Sequence, residues 1–178
     1  MKRATLIACL LAMTSPAFAQ APSDTAGPVA NQAQRDAVAQ RVRGGASCAN
    51  CDLFQIDMAY QVATGRDFSG SRIRQADFTI AIVDRSNFSG ANLSLTNLFG
   101  ARGVRANFSN ANLDGAQLVG AHFGGARFEG ARMAGANLSG AELAEAVGLT
   151  QEQLNTACGD ATTTLPAGLT VPTCGNNQ

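Results

Sequence analysis

The sequence predicts an all-β solenoid, in which the chain coils around one long axis and buries a continuous core. Two observations predict it. From Cys51 to Glu145 the residues fall into nineteen frames of five, and the third residue is large and apolar in seventeen of them. The first residue of each frame is alanine ten times in succession from Ala101 to Ala146. A fixed short period of this length is typical of repeat proteins, in which each unit packs on its neighbours.

A five-residue period excludes amphipathic helices and flat strands. Five residues advance an α-helix by about 140°, so the large residues would scatter around the axis and form no apolar stripe. In a flat strand, an odd period would place successive large residues on opposite faces. A chain that turns a corner once per frame keeps the third and the first residue inside. The period therefore indicates a coil.

The frames share the pattern Ala, then Asp or Asn, then Leu or Phe, as in Ala76-Asp77-Phe78, Ala91-Asn92-Leu93, Ala106-Asn107-Phe108, Ala111-Asn112-Leu113 and Ala136-Asn137-Leu138. This pattern resembles the pentapeptide-repeat family. The resemblance covers about 95 of the 178 residues. It implies a right-handed quadrilateral β-helix with four frames per coil and about five coils. Residues twenty apart should then stack, giving a core ladder of Phe68, Phe88, Phe108 and Phe128.

The chain is expected to divide into five segments: a secretory signal peptide (1–19), a flexible linker (20–33), an N-terminal capping helix with a CxxC motif (34–50), the pentapeptide-repeat β-helix (51–147) and a C-terminal capping helix with a disulfide tail (148–178). Lys2 and Arg3, an apolar stretch and Ala17-Phe18-Ala19 predict cleavage after Ala19. The stretch is far below the ~20 residues that span a bilayer. A periplasmic or secreted bacterial protein is expected, with lipidation at Cys9 as a minor alternative.

Short helices are predicted at both ends of the repeats. Upstream, residues 35–42 read as a helix that Gly44 and Gly45 end. Downstream, Thr150 and Gln153 form a capping box, Leu149 and Leu154 a hydrophobic staple, and Gly159 is expected to end the helix. The segment from 148 to 172 resembles the closing tail of exported bacterial members of the family.

Four cysteines remain after loss of the signal peptide, and they allow three pairings. Cys48 and Cys51 lie at the first coil, whereas Cys158 and Cys174 lie beyond the last. A cross-pairing would have to bridge a rod of roughly 20 Å against a limit of about 7 Å between Cα atoms. We therefore expect disulfides Cys48–Cys51 and Cys158–Cys174 in an oxidising compartment. The alternative is a thiol-disulfide active protein that uses Cys48 and Cys51.

The composition offers little for catalysis or nucleic-acid binding. The chain has one histidine, one tyrosine and a formal net charge of +0. We expect no enzyme activity, cofactor, small-molecule substrate or nucleic acid. His122 lies in a coil distant from the cysteines, so we expect no metal site. The family's best-characterised activity resembles DNA mimicry directed at topoisomerase by a strongly acidic rod. From Cys51 to Glu145 this chain has eight arginines against nine acidic residues, which makes that activity a remote third alternative.

Recognition by a partner must use the outward residues, and two patches stand out. A candidate anion patch contains Arg85, Arg102, Arg105 and Arg127; alternatively, Asp84, Glu129 and Glu145 pair with these arginines on a solvated face. A candidate interface, for a second copy or another partner, contains Ile80, Leu95, Phe99 and Val119; alternatively, these are singly exposed apolar residues on an unremarkable surface.

Gly103 interrupts its core column and leaves either a dent or a space that Phe123 fills. The sequence as a whole predicts a non-enzymatic structural or protein–protein interaction module. Its partner is an unidentified protein or a second copy, and no biological process is indicated.

Overall fold

The computed structural model describes residues 32–175, so the predicted signal peptide 1–19 and most of the predicted linker lie outside the described residues. Two helices, α1 (Gln32–Arg43) and α2 (Gln151–Leu154), flank the repeats. Within the repeats, the second residue of each frame forms a parallel β-bridge with the residue twenty positions later, from Asp52↔Arg72 to His122↔Glu142. Four frames therefore make one coil, and the coils form a β-helical solenoid.

Backbone hydrogen bonds join each coil to the next. The N–H groups of the third and fifth residues of a frame donate to carbonyls of the next coil, as in Phe68 N to Asn87 O (2.7 Å) and Gly70 N to Ser89 O (2.9 Å). The N–H of the first residue of a frame donates to the carbonyl three residues earlier and so forms the turn at the corner, as in Ala91 N to Phe88 O (3.0 Å). From Asn50 to Gly140 the fifth residue of each frame has a left-handed backbone, which explains why glycine often stands there.

The core is a filled column of third and first residues. The rings of the core ladder stack, with centroids 5.0 Å apart for Phe68 and Phe88, and 5.1 and 5.2 Å apart for the two pairs beyond. Phe123 lies edge-on to Phe108 at 5.3 Å and to Phe128 at 6.0 Å. All of these rings are buried. Each buried aromatic side chain contributes about 1.5–3 kcal/mol to stability.

The first coil begins one frame earlier than the expected boundary at Cys51. Cys48 N donates to Asp67 O (2.7 Å) and Asn50 N to Ser69 O (2.8 Å), as third and fifth residues do elsewhere. Cys48 therefore occupies a third position, next to Phe68 of the ladder. The structure contains the disulfide Cys48–Cys51, with 5.5 Å between Cα atoms. Cysteine in place of Leu or Phe is what hid this frame in the sequence.

At the N-terminal end, α1 starts at Gln32, within the predicted linker, and packs Val38 and Val42 into the core. The Arg66 guanidinium joins the helix to the solenoid, because it donates to the carbonyls of Val42 and Val62, the latter at 2.6 Å. A cation at the C-terminal end of a helix also interacts favourably with the helix dipole.

At the C-terminal end, Thr150 and Gln153 form the capping box of α2, and Leu154 is buried. The expected helix end at Gly159 is wrong: α2 is one turn long and ends at Leu154, after which Asn155 makes the C-cap. Gly159 instead forms a parallel bridge with Thr173, one layer further on. The disulfide Cys158–Cys174, with Cα atoms 4.8 Å apart, joins these last two layers.

Candidate interaction surface

Second-position Asp and Asn side chains fix the turns of the solenoid. Their carboxylate or amide oxygens accept from the N–H two residues later, as in Asp67 to Ser69 (3.0 Å) and Asn107 to Ser109 (3.0 Å). The Asn87 amide also donates to Asp67 (3.1 Å). The hydrogen bond from the Ser69 N–H is the main reason that the pKa of Asp67 is below its ordinary value. These polar columns are internally satisfied, so they explain the repeat pattern and not recognition.

Large apolar side chains are exposed together at one corner of the solenoid. We define the corner patch as Tyr60, Val62, Ile80 and Phe99, which are 71%, 58%, 48% and 49% exposed. Tyr60 N donates to Thr79 O and Ile80 N to Phe99 O, both at 2.8 Å, so the patch runs over three successive coils. Val119, on the next coil, is half-buried. A cluster of this kind is typical of a binding surface.

The structure separates one member of the predicted interface from the others. Leu95 is 48% exposed, but it lies at a different corner, where its side chain covers Gly115. The polar column that contains Asp77 and Asn97 runs between Leu95 and the corner patch. Sequence reasoning missed Tyr60 and Val62, although apolar residues at a fifth and a second position were a visible signal.

Two of the four predicted anion-patch arginines are paired. Arg102 Nε donates to Asp84 Oδ2 at 3.0 Å, and Arg127 lies 3.0 Å from Glu129. Burial raises the pKa of Asp84, but hydrogen bonds from Arg102 and from Val104 N–H (2.9 Å) outweigh it, so the pKa lies below its ordinary value. These two ion pairs support the alternative in which acidic residues pair with the arginines on a solvated face.

The other two arginines lie at one corner, and the charge of Arg85 acts on the neighbouring Asp84. Arg85 and Arg105 are exposed and make no ion pair among residues 32–175. Arg105 packs its side-chain carbons near Gly125 of the next coil. Glu145 stands at the same fifth position two coils beyond Arg105, too far along the corner to pair with it. The expected pairing of Glu145 therefore does not form.

An open depression lies on the face that carries His122 and Glu142. Its lining also includes Glu145, Gly124, Gly140 and Thr162. His122 Nδ1 is 2.5 Å from Glu142 Oε2. Across the described part of the chain, no cluster of histidine, cysteine and acidic residues could hold a metal ion.

The CxxC cysteines are enclosed in the first coil. Cys48 and Cys51 are each 2% exposed. The Ser71 hydroxyl donates to Cys48 O at 2.6 Å and accepts from Cys51 N at 3.0 Å, which fixes the backbone on both sides of the disulfide. A redox-active pair needs an accessible thiolate, and this geometry does not provide one.

Gly103 leaves no dent in the core. A Cβ atom at this position would lie 2.6 Å from Cε1 of Phe123, so the Phe123 ring fills the space. The region near Arg102 and Arg105 is therefore closed beneath the surface.

A family model for pentapeptide repeats matches the sequence with 8 copies, over residues 67–102, 86–125 and 106–144. The chain belongs to the pentapeptide-repeat family. No curated protein matches the sequence.

Several solved pentapeptide-repeat proteins are similar to this one. A thylakoid-lumen protein of Arabidopsis thaliana is 33% identical over 51% of this chain and 67% of its own, with a TM-score of 0.32. QnrB1, a plasmid-mediated fluoroquinolone resistance protein, is 20% identical over 68% and 78%, with a TM-score of 0.40. Rfr23 from the cyanobacterium Cyanothece 51142 is 22% identical over 75% and 98%, with a TM-score of 0.32. In the part of the chain described here, neither helix has the length and apolar character to cross a membrane.

Proposed function

We propose that this pentapeptide-repeat protein is an exported, non-enzymatic module that binds another protein through the corner patch. The carrying observation is the clustering of four exposed large apolar side chains at one corner of three successive coils. Aromatic residues at the centre of a patch are enriched in protein interfaces. The polar columns beside the patch satisfy their own hydrogen bonds, so the patch is the feature that a partner would cover.

Three observations favour a binding role over the alternatives. The interior is filled with side chains, and His122 is engaged with Glu142. The buried disulfide Cys48–Cys51 supports a structural staple over thiol-disulfide exchange. The near balance of arginine and acidic residues in the repeats argues against DNA mimicry, which needs a strongly acidic surface.

We also infer export and closure of both ends of the rod. The signal-like segment 1–19 and two disulfides support a periplasmic or secreted location. Helix α1 and the described part of the segment 148–178 are proposed to close the ends of a right-handed coil, because a bare solenoid end exposes backbone and apolar surface. Sequencing of the exported protein should find Gln20 first; an unprocessed N-terminus would contradict export by this signal.

Affinity capture tests the proposed function. The mature chain, from Gln20 to Gln178, is immobilised and exposed to an envelope extract, and the retained proteins are identified and then re-tested as purified components. Phe99→Asp should reduce retention at least about tenfold, because it places a charge in the apolar patch. Val147→Asp is the matched control, since Val147 is 51% exposed outside the patch. Equal retention by both variants would overturn the role of the patch.

A further inference from the structure

One face of the solenoid has an uneven distribution of charge and shape. It consists of the frames 61–65, 81–85, 101–105, 121–125 and 141–145, whose second residues pair in register from Val62 to Glu142. We call it the Ile82 face. Towards α1 its one carboxylate, Asp84, is buried and paired with Arg102. The other outward side chains there are apolar, neutral or basic: Val62, Thr64, Ile82, Arg85 and Arg105, with Tyr60 and Ile80 of the corner patch along one edge. Towards α2 it carries the depression that Glu142 and Glu145 line.

The two halves are complementary to each other in charge. Within residues 32–175, Arg85 and Arg105 form no ion pair, and neither does Glu145 at the same corner. Arg85 is attracted to Asp84, but the carboxylate of Asp84 is already paired with Arg102. All three are exposed. Along this corner, Arg85 is one coil before Arg105, and Glu145 is one coil after Gly125. Arg85 and Glu145 therefore lie at equal distances, on opposite sides, from the point midway between Arg105 and Gly125.

This symmetry defines the orientation of a partner of the same sequence. Consider a two-fold axis that lies in the plane of contact and is perpendicular to the long axis of the solenoid. It reverses the coil order of one copy relative to the other, and it places each corner opposite the same corner of the other copy. With the axis at the midpoint, Arg85 of one copy lies opposite Glu145 of the other, and the reverse holds at the second contact. Arg85 and Glu145 of each copy are thereby paired, whereas Arg105 lies opposite Gly125.

The shapes of the two halves are complementary in the same orientation. At the opposite edge of the face, Ile80 lies one coil before Gly100, and Gly140 lies one coil after Gly120. The same axis therefore places Ile80 against Gly140, and Tyr60 against the layer that contains Thr162. These are the projecting apolar residues and the depression, respectively. Tyr60 and Ile80 thereby lose exposed apolar surface against Gly140 and Thr162, while the carboxylates of the depression, Glu142 and Glu145, have His122 of the same copy and Arg85 of the other copy as partners.

We propose that the Ile82 face binds a second copy of this chain in an antiparallel two-fold dimer, with Arg85–Glu145 ion pairs at one edge and Tyr60 and Ile80 in the depression at the other. The proposal rests on the proposed function and names the partner. One face of five coils is small beside standard interfaces, so the dimer is weak, with a Kd of about 10–100 μM.

Sedimentation equilibrium of the mature chain over about 5–500 μM tests the proposal by a charge exchange. The mass should rise with concentration to that of a dimer. Arg85→Glu and Glu145→Arg should each weaken association at least about tenfold, because each places like charges together. The double variant Arg85→Glu/Glu145→Arg restores opposite charges and should recover most of the lost affinity. Arg74→Glu, at a corner away from this face, is the matched control and should leave the Kd unchanged.

The outcomes separate this dimer from the broader proposal. A chain that stays monomeric at 500 μM, or a double variant that associates no better than either single variant, overturns the antiparallel dimer. If a foreign protein is nevertheless retained through Phe99, the interaction module stands without it. Circular dichroism of each variant shows whether the coil is intact, and Glu145→Arg gives a second reading if Arg85→Glu fails to fold.

Discussion

At the scale of single residues, glycine at a third position reveals how closely the core is packed. Gly103 is tolerated because Phe123 of the next coil covers it, and the ring then contacts Phe108 and Phe128 edge-on. The Phe123 ring therefore supplies the packing that a side chain at position 103 would otherwise provide. Close packing of this kind makes even one added methyl group costly.

Gly103→Ala should destabilise the protein by about 1–3 kcal/mol, because its Cβ atom would lie 2.6 Å from the Phe123 ring. Gly124→Ala, at a fourth position of the next coil, is the control, since the nearest atom to its Cβ would be 3.5 Å away. Chemical denaturation measures both free energies of unfolding. Equal values for the two variants would show that the ring moves aside without cost.

Individual residues differ in whether their place in the structure could be predicted from the sequence. The third-position columns were predictable, because size and period alone require them. The Asp84–Arg102 pair was predictable only as an alternative, because its partners are eighteen residues apart and meet only through the coil. Tyr60 and Val62 were missed although their fifth and second positions marked them as outward, since the repeat pattern does not report which outward side chains remain uncovered.

At the scale of elements, the tail depends on one carboxylate. Asp160 accepts hydrogen bonds from the Thr162 hydroxyl (2.7 Å), the Thr162 N–H (2.9 Å) and the Gly140 N–H (3.0 Å). It thereby ties the tail to the last complete coil. These bonds, led by that from the Thr162 hydroxyl, lower the pKa of Asp160 from 3.8 to about 2.

The stabilisation from Asp160 should be lost between pH 4 and pH 2. A carboxyl whose pKa is lower in the folded state stabilises the fold when ionised, so its contribution is present above the unfolded pKa and disappears as pH falls through the folded one. Thermal unfolding of the wild type and Asp160→Asn should differ most above about pH 4 and converge near pH 2. A difference that is constant with pH would contradict this role. Other carboxyls, including Asp84, titrate in both proteins and do not affect the comparison.

At the scale of the whole molecule, the two ends hold their disulfides in different surroundings. Cys48 and Cys51 are enclosed under the Phe ladder, whereas Cys158 is 8% exposed and Cys174 is half-buried. Exchange requires access of an attacking thiolate to sulfur. The end near α2 is therefore the more open of the two.

Graded reduction should open Cys158–Cys174 before Cys48–Cys51. The native protein is treated with increasing dithiothreitol, the free thiols are alkylated, and peptide masses identify the labelled cysteines. Earlier labelling of Cys48 and Cys51 would favour the thiol-disulfide alternative over the structural one. Labelling of both pairs in guanidinium chloride is the control for intrinsic reactivity.

The register of twenty residues per coil limits how such a chain can change in length during evolution. Duplication of one whole coil adds a layer and leaves every outward residue on its original face. Insertion of a single frame preserves the five-residue pattern, yet it moves all later residues by a quarter turn. Glu145 would then leave the corner of Arg85, although the core would remain filled. Insertions of twenty residues thus keep the surface residues on their faces, whereas insertions of five keep only the core intact.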